Sequence, residues 1–290
     1  MLSHYFELDA PPNWHVPVIF NSPHSGFELP ASLLQTARLG ARELRQSEDY
    51  LVDQLFSGCL DHGMPMLKAL VSRAWVDLNR EPFEFDARMF DQPLPGYMNG
   101  GSARVQAGFG TVPRLVGDGL EIYRGRISLQ GALARIEECY RPYHRALNTL
   151  LNQAHAATGI AMLVDCHSMP SSGTAKSAQQ PDVVLGDRFG TSCGADLVDE
   201  LANFFNQQGL RVSRNKPYAG GFITETHGLP MQGRHALQIE INRALYMNET
   251  AMQPASGYAA LKRTLDAFAQ HLAHAITALL ARPVRQYAAE

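Results

Sequence analysis

The sequence predicts an α/β protein built on a mixed β-sheet flanked by helices. Short apolar runs ending in turn residues alternate with longer stretches of helical period. No repeat, linker or charge block interrupts the composition, so one domain is expected over residues 1–290. Of the 290 residues 45% are hydrophobic and 18% charged, enough for a full core without staples.

The elements follow in order. Val16–Asn21 is a buried strand running into the turn Ser22-Pro23-His24-Ser25-Gly26. Ser47 is placed to cap a helix carrying Glu48 and Asp49 in its first turn, with Leu51, Val52, Leu55 and Phe56 on one apolar face and Gly63 at its end. Strands are expected at Met66–Val71 and Ala74–Leu78. Gly96–Gly119 holds seven glycines without apolar period and reads as a surface loop or a lid. A long helix is expected over Ser128–Ala157, strands at Ile160–Asp165 and Asp182–Leu185, and a helix at Ala195–Gln208. Strands at Leu210–Ser213, Phe222–Thr226 and Ala236–Asn242 and a helix over Gly257–Ala281 complete the chain.

The composition also narrows function. With 25 Lys and Arg against 28 Asp and Glu the net charge is −3, which argues against a nucleic-acid partner. Cys59, Cys139, Cys166 and Cys193 form no CxxC pair and read as reduced thiols. Neither a leader nor an apolar run of membrane-spanning length is visible, so a cytoplasmic location without membrane contact is expected. HExxH, GxxxxGK[ST] and GxGxxG are absent.

What remains is a set of polar residues at strand ends, where burial is costly unless each is paired or binds something. His24 and His167 each follow a core strand and precede a serine, so a zinc site can use both, although either alone fits a capping role. Asp165, two residues before His167 on the same strand face, is placed to orient that imidazole. Period-two alternation sets Leu237, Ile239 and Ile241 on one face of a strand and Gln238, Glu240 and Asn242 on the other. Glu240 there is either a general base or an ion-pair partner. In Asp77-Leu78-Asn79-Arg80 the arginine's planar fork suits a substrate carboxylate, and Arg73 or Arg80 tying loops to the sheet is the alternative.

These residues lie in segments that resemble the N-formylglutamate amidohydrolase family: SPHSG (22–26), SEDYLVD (47–53), SRAWVDLNR (72–80), RPYH (141–144), DCHS (165–168), NKPYAGG (215–221) and GRHALQIEINRALYM (233–247), in consistent order. The resemblance extends more distantly to zinc carboxypeptidases and aspartoacylases and implies a carboxypeptidase-like fold with one catalytic Zn2+. It makes His24 and His167 metal ligands, Glu240 the base, Asn79 and Arg80 the carboxylate clamp, and Arg73 an oxyanion stabiliser; Tyr218, Gly221 and Arg243 join the substrate site. The HxxE spacing of carboxypeptidases meets Phe27 here, with Glu28 one residue further on. That leaves Glu28 and the acidic pair of SEDYLVD for the third ligand, and the resemblance, whose motif centres on the aspartate matching Asp49 at a helix start, implies Asp49, with Glu28 in reserve.

The activity implied is zinc-dependent hydrolysis of an N-acylated acidic amino acid, foremost N-formyl-L-glutamate, in histidine breakdown. Two alternatives stand beside it: a peptidase or deacylase on a larger substrate, with the glycine-rich stretch as an open binding edge, and a metal-free carboxylate-binding module.

Overall fold

The computed structural model describes residues 4–117, 119–171 and 180–281. A seven-stranded mixed sheet is built from β1 (Phe6–Asp9), β2 (Val18–Ser22), β3 (Met66–Ala69), β4 (Ala161–Met169), β5 (Val183–Gly186), β6 (Val212–Arg214) and β7 (Arg234–Asn242), in spatial order β1-β3-β2-β4-β7-β5-β6. The central strands β3, β2, β4 and β7 are parallel; β1 and β5 run antiparallel to their inner neighbours, and β6 is parallel to β5. The central strands are buried on both faces and read as apolar runs, as parallel strands under two helical layers do.

Each face has its own core. On one, Ile19, Leu67, Leu163 and Ala236 meet Tyr143, Leu147, Leu150 and Leu151 of α1 (Arg141–Thr158). On the other, Val18, Phe20, Met162, Val164, Leu237 and Ile239 meet α2 (Ala195–Gln207) and α4 (Tyr258–Leu280), where Phe204, Phe205 and Phe268 pack ring to ring. α3 (Phe222–His227) lies against β4 and β7.

The face toward α1 changes character along the strands. Ile19, Leu163 and Ala236 are in register and apolar; one step on, Asn21, Asp165 and Gln238 are in register and polar; one step further His167 stands beside Glu240. All are buried, so the carboxyl ends of the parallel strands open onto a polar interior.

Four expectations are corrected. The Ser47-capped helix does not form as such: Arg45–Ser47 is a 3-10 turn, Glu48 is extended, Leu51 is left-handed at φ 57°, and only Val52–Leu55 is α-helical before the 3-10 segment Ser57–His62. The Ser47 hydroxyl accepts from Gly117 N instead. Ala74–Leu78 is no strand, because its backbone is claimed elsewhere: Asp77 N donates to Thr111 O, Arg135 to Trp75 O and His144 to Leu78 O. Phe222–Thr226 is the helix α3, whose free N–H groups are met by Asn79 Oδ1 at Ile223 N and Gln238 Oε1 at the preceding Gly221 N. The 128–157 helix begins at the Ser128 cap as Leu129–Arg135 but passes through a π-helical turn, Ile136–Tyr140, before α1.

The glycine-rich stretch is packed over much of its described length. Val105, Thr111, Val112 and Val116 are buried, and Phe109 and Thr111 bond the 77–84 segment; residue 118 lies outside the described residues.

Burial pushes the His144 imidazole on α1 down to about 4, so it is neutral in the fold. The unfolded chain takes up that proton near 6.5. The stability contributed by neutral His144 is therefore complete above about pH 6.5 and is lost as pH falls towards 4. We expect the gap in urea midpoint between the wild type and His144→Gln to shrink from pH 7 to pH 4.5; a gap independent of pH contradicts this.

Candidate active site

His24 follows β2, Asp49 precedes the Val52–Leu55 turn, and His167 projects from β4. Their ligand atoms all lie within 4.8 Å of one another, and among the described residues they are the one such group of three. All three are buried, at 3% exposure or less. His167 sits inside its strand rather than after it, because β4 runs on to Met169.

Each imidazole is gripped from behind by a carboxylate. His24 Nε2 lies 2.7 Å from Asp77 Oδ1, and His167 Nε2 lies 3.1 Å from Asp165 Oδ2. Both Nδ1 atoms then face Asp49 Oδ2, at 3.5 Å from His24 and 2.9 Å from His167. The other oxygen, Oδ1, accepts from Ser168 Oγ at 3.2 Å and Arg243 Nη2 at 3.3 Å. Asp49 thus offers one oxygen inward and has the other held. Its backbone N–H, bonded to His24 O at 3.0 Å, ties the two ligand segments together.

This donor set fits a zinc ion. His24 Nδ1 is buried without a hydrogen-bond partner, which is costly unless something binds it. Ligand atoms about 2.1 Å from a tetrahedral zinc stand about 3.4 Å apart, near the separations here. Glu28 is excluded from the group: it is exposed, and its backbone bridges to Val71.

Burial raises the Asp49 carboxyl, but the hydrogen bond to His167 and the nearby His24 imidazole outweigh it and hold the group well below its usual range. Burial lowers His167, yet Asp165 and Asp49 outweigh it and raise the imidazole well above its usual value. Burial raises Glu240 to about 7, with Asp49 adding to the rise while His167, Arg73 and Arg243 oppose it. Gln238 Nε2 donates to Glu240 Oε1 at 2.8 Å, fixing that oxygen.

The expected substrate residues divide. Arg73 Nη2 bonds Asp77 Oδ2 at 2.6 Å, and Arg73 feels the charges of Asp49 and Glu240. Arg80 spends Nε on Phe109 O and Nη1 on Asn79 O, both at 2.8 Å, with Nη2 3.6 Å from Asp77 Oδ2. The Asn79 amide is taken at both ends: Nδ2 donates to Asp165 Oδ2 at 3.3 Å, and Oδ1 accepts from Ile223 N at 2.8 Å. Gly221 packs against that amide so closely that a Cβ would collide with it. Arg243 is buried between Ser168, Glu48 O and Asp49 and supports the segment that carries Asp49. Tyr218 is 39% exposed and feels the charges of Glu240, Arg243 and Asp49.

Sequence reasoning did not give Asp77, Ser168 or Asn21 their places. The signal for Asp77 and Asn21 was a polar residue closing an apolar run; for Ser168 there was none beyond its neighbour.

The comparisons bear on this geometry. A family model described as N-formylglutamate amidohydrolase matches residues 16–247. The chain belongs to the N-formylglutamate amidohydrolase family. It is 31% identical over 240 residues to an N-formylglutamate deformylase of Pseudomonas aeruginosa, covering 81% of this chain and 84% of that one. A deformylase of Pseudomonas putida is 28% identical over 239 residues, covering 81% and 83%. The crystal structure of an N-formylglutamate amidohydrolase from Ralstonia eutropha JMP134 superposes with a TM-score of 0.89 at 32% identity, over 94% of this chain and 99% of that one. The Agrobacterium tumefaciens gene product Atu2144 shares the fold, with a TM-score of 0.64 at 18% identity over 94% and 96% of the two chains. Membership in this amidohydrolase family makes the chain a hydrolase. Among the described residues no helix is long and apolar enough to cross a membrane.

Asp165 and Asp49 favour the protonated form of His167 in the metal-free site, and a metal at its Nδ1 must displace a proton held there. Zinc binding is therefore expected to release about one proton or more per ion near pH 7 and to tighten as pH rises. Calorimetry in buffers of different ionisation enthalpy measures this, and zinc uptake without proton release contradicts it.

Proposed function

We propose that the chain is a zinc-dependent N-formyl-L-glutamate deformylase, hydrolysing N-formyl-L-glutamate to formate and L-glutamate with one catalytic domain spanning the chain. The observation that carries this reading is the buried trio His24, Asp49 and His167 with Glu240 beside His167 in strand register, in a chain of this family. His24 Nδ1, His167 Nδ1 and Asp49 Oδ2 would hold the zinc, a ligand set typical of open catalytic sites. Zinc bound there supplies a positive charge that polarises a carbonyl and brings the pKa of a neighbouring water from about 15.7 to about 7.

Glu240 is the base. Its raised pKa suits proton transfer near neutrality, and with Oε1 held by Gln238 the proton is carried at Oε2. Glu240 takes it from the attacking water and returns it to the departing amine of glutamate. Arg73, braced on Asp77, faces the site with a fork that stabilises negative charge developing on the formyl oxygen.

Two guanidiniums, Arg73 and Arg80, share the single carboxylate of Asp77. One positive charge is in excess there, and a substrate carboxylate balances it. Asn79 holds Asp165 and α3 in this reading, so the clamp rests on Arg80, with Arg73 kept for the formyl oxygen. Tyr218 closes the substrate side: burial raises its phenol and the Glu240 charge raises it further, leaving a neutral donor. The burial of the metal trio favours a small acyl amino acid over a peptide.

Amine release from N-formyl, N-acetyl and N-succinyl amino acids with added zinc tests the reading. N-formyl-L-glutamate is expected to exceed N-formyl-L-leucine by at least about tenfold in kcat/KM, a single charge-assisted pairing contributing about 1.5 kcal/mol or more. Equal rates on the two, or no hydrolysis of either, reject it. Glu240→Gln is expected to lower kcat by about 10² or more while zinc content and KM stay close to wild type. Turnover near wild type in that variant is fatal to the assignment of the base.

A further inference from the structure

The RPYH segment (141–144) has no part in the reaction described above, yet its tyrosine lies at the start of a buried chain of hydrogen bonds that ends at the metal trio. Tyr143, on the first turn of α1, is fully buried, and its hydroxyl donates to Asn21 Oδ1 at 2.6 Å. Asn21 Nδ2 donates to Asp165 Oδ1 at 2.7 Å. Asp165 Oδ2 lies 3.1 Å from His167 Nε2, whose ring presents Nδ1 2.9 Å from Asp49 Oδ2.

We propose that Tyr143 is a positioning residue of the metal site, acting through Asn21 and Asp165 on His167. The proposal rests on the zinc reading above.

The first two links of the chain each have one workable orientation. The tyrosine hydroxyl has a single hydrogen, which Asn21 Oδ1 accepts; the Asn21 amide must then turn Nδ2 to the carboxylate. That donor holds Asp165 Oδ1, Asn79 Nδ2 at 3.3 Å and Thr224 Oγ1 at 3.4 Å hold Oδ2, and Oδ2 lies against His167 Nε2, which also has Asn79 Nδ2 at 3.1 Å. Without the hydroxyl, Asn21 Oδ1 loses its partner, the amide is free to rotate, and Asp165 loses a charge-assisted bond.

Packing alone does not call for this chain. The surrounding interface is apolar, with Ile19 and Leu163 against Leu147, Leu150 and Leu151, and the Tyr143 ring packs edge-on against Phe6 at 5.5 Å. A phenyl ring over an aliphatic residue would fill the same space, and replacing both polar partners by apolar ones of the same shape is nearly neutral to stability. The polar groups are explained by what they hold. Outer partners of histidine ligands typically alter metal affinity by about 10-fold to 100-fold.

The test is the zinc dissociation constant of the metal-free full chain, by competition with a chromophoric chelator. Tyr143→Phe is expected to weaken zinc binding about tenfold, with the circular dichroism of the folded protein retained; Asn21→Ser is expected to act in the same direction. Tyr123→Phe is the control: its buried hydroxyl accepts from Arg135 at 2.9 Å and has no link to the histidines, so zinc affinity should not change. In an Asp165→Asn background Tyr143→Phe should add no further loss, because its effect passes through Asp165. Wild-type affinity in both Tyr143→Phe and Asn21→Ser, equal loss in Tyr123→Phe, or full additivity with Asp165→Asn overturns the relay. A wild-type chain that takes up no zinc overturns the metal reading and the relay with it, so the two failures are told apart by the first measurement.

Discussion

Two imidazoles buried at the end of a sheet can point their nitrogens in several directions, and here each is fixed by a carboxylate on Nε2. Asp77 holds His24 and Asp165 holds His167, which turns both Nδ1 atoms onto one oxygen of Asp49. Burying these charges is expensive unless every one is matched. Arg73 and Arg80 match Asp77, Asn21 and Asn79 donate to Asp165, and Arg243 with Ser168 takes the outer oxygen of Asp49. The inward-facing atoms alone are left for a ligand, and unpartnered His24 Nδ1 marks the place.

The sheet provides the platform for this arrangement. Parallel pairing of β2, β4 and β7 puts Asn21, Asp165 and Gln238 in one row, and the next row brings Glu240 beside His167. Glu240 and His167 are therefore spaced by strand register rather than by loops, which keeps them in fixed relation. The loops bring the remaining parts: His24 on the turn after β2, Asp49 on the segment bonded to that turn, and the Asp77–Arg80 segment held by Phe109, Thr111 and His144. The glycine-rich stretch supplies two of those contacts, Phe109 O to the Arg80 side chain and Thr111 O to Asp77 N.

Much of this was legible where a periodic pattern carried it. Alternation in 236–242 separated Glu240 from the core-facing isoleucines, and β7 keeps that division. The same rule applied to DCHS placed Asp165 behind His167 correctly, although the strand runs further than the apolar run suggested. Reading failed where tertiary partners override local preference. The β-branched residues of 222–226 look like a strand, yet side chains from two other segments cap them as a helix. The acidic pair after Ser47 looks like a helix start, but Leu51 turns left-handed and Asp49 reaches the histidines from an irregular segment. Asp49 was picked out by motif resemblance, and no local rule predicts its geometry. Arg80 is the converse: the residue type suits carboxylates, and the backbone carbonyls that occupy two of its donors come from segments far apart in sequence or invisible to pattern.

The central claim is that the two carboxylate–imidazole pairs aim both Nδ1 atoms at a single zinc ion shared with Asp49. Anomalous diffraction at the zinc edge on crystals of the zinc-loaded chain tests it most directly. The account predicts one peak at about 2.0 to 2.2 Å from His24 Nδ1, His167 Nδ1 and Asp49 Oδ2, with both Nε2 atoms still on Asp77 and Asp165. A peak bound through either Nε2, or none within reach of these three residues, contradicts it.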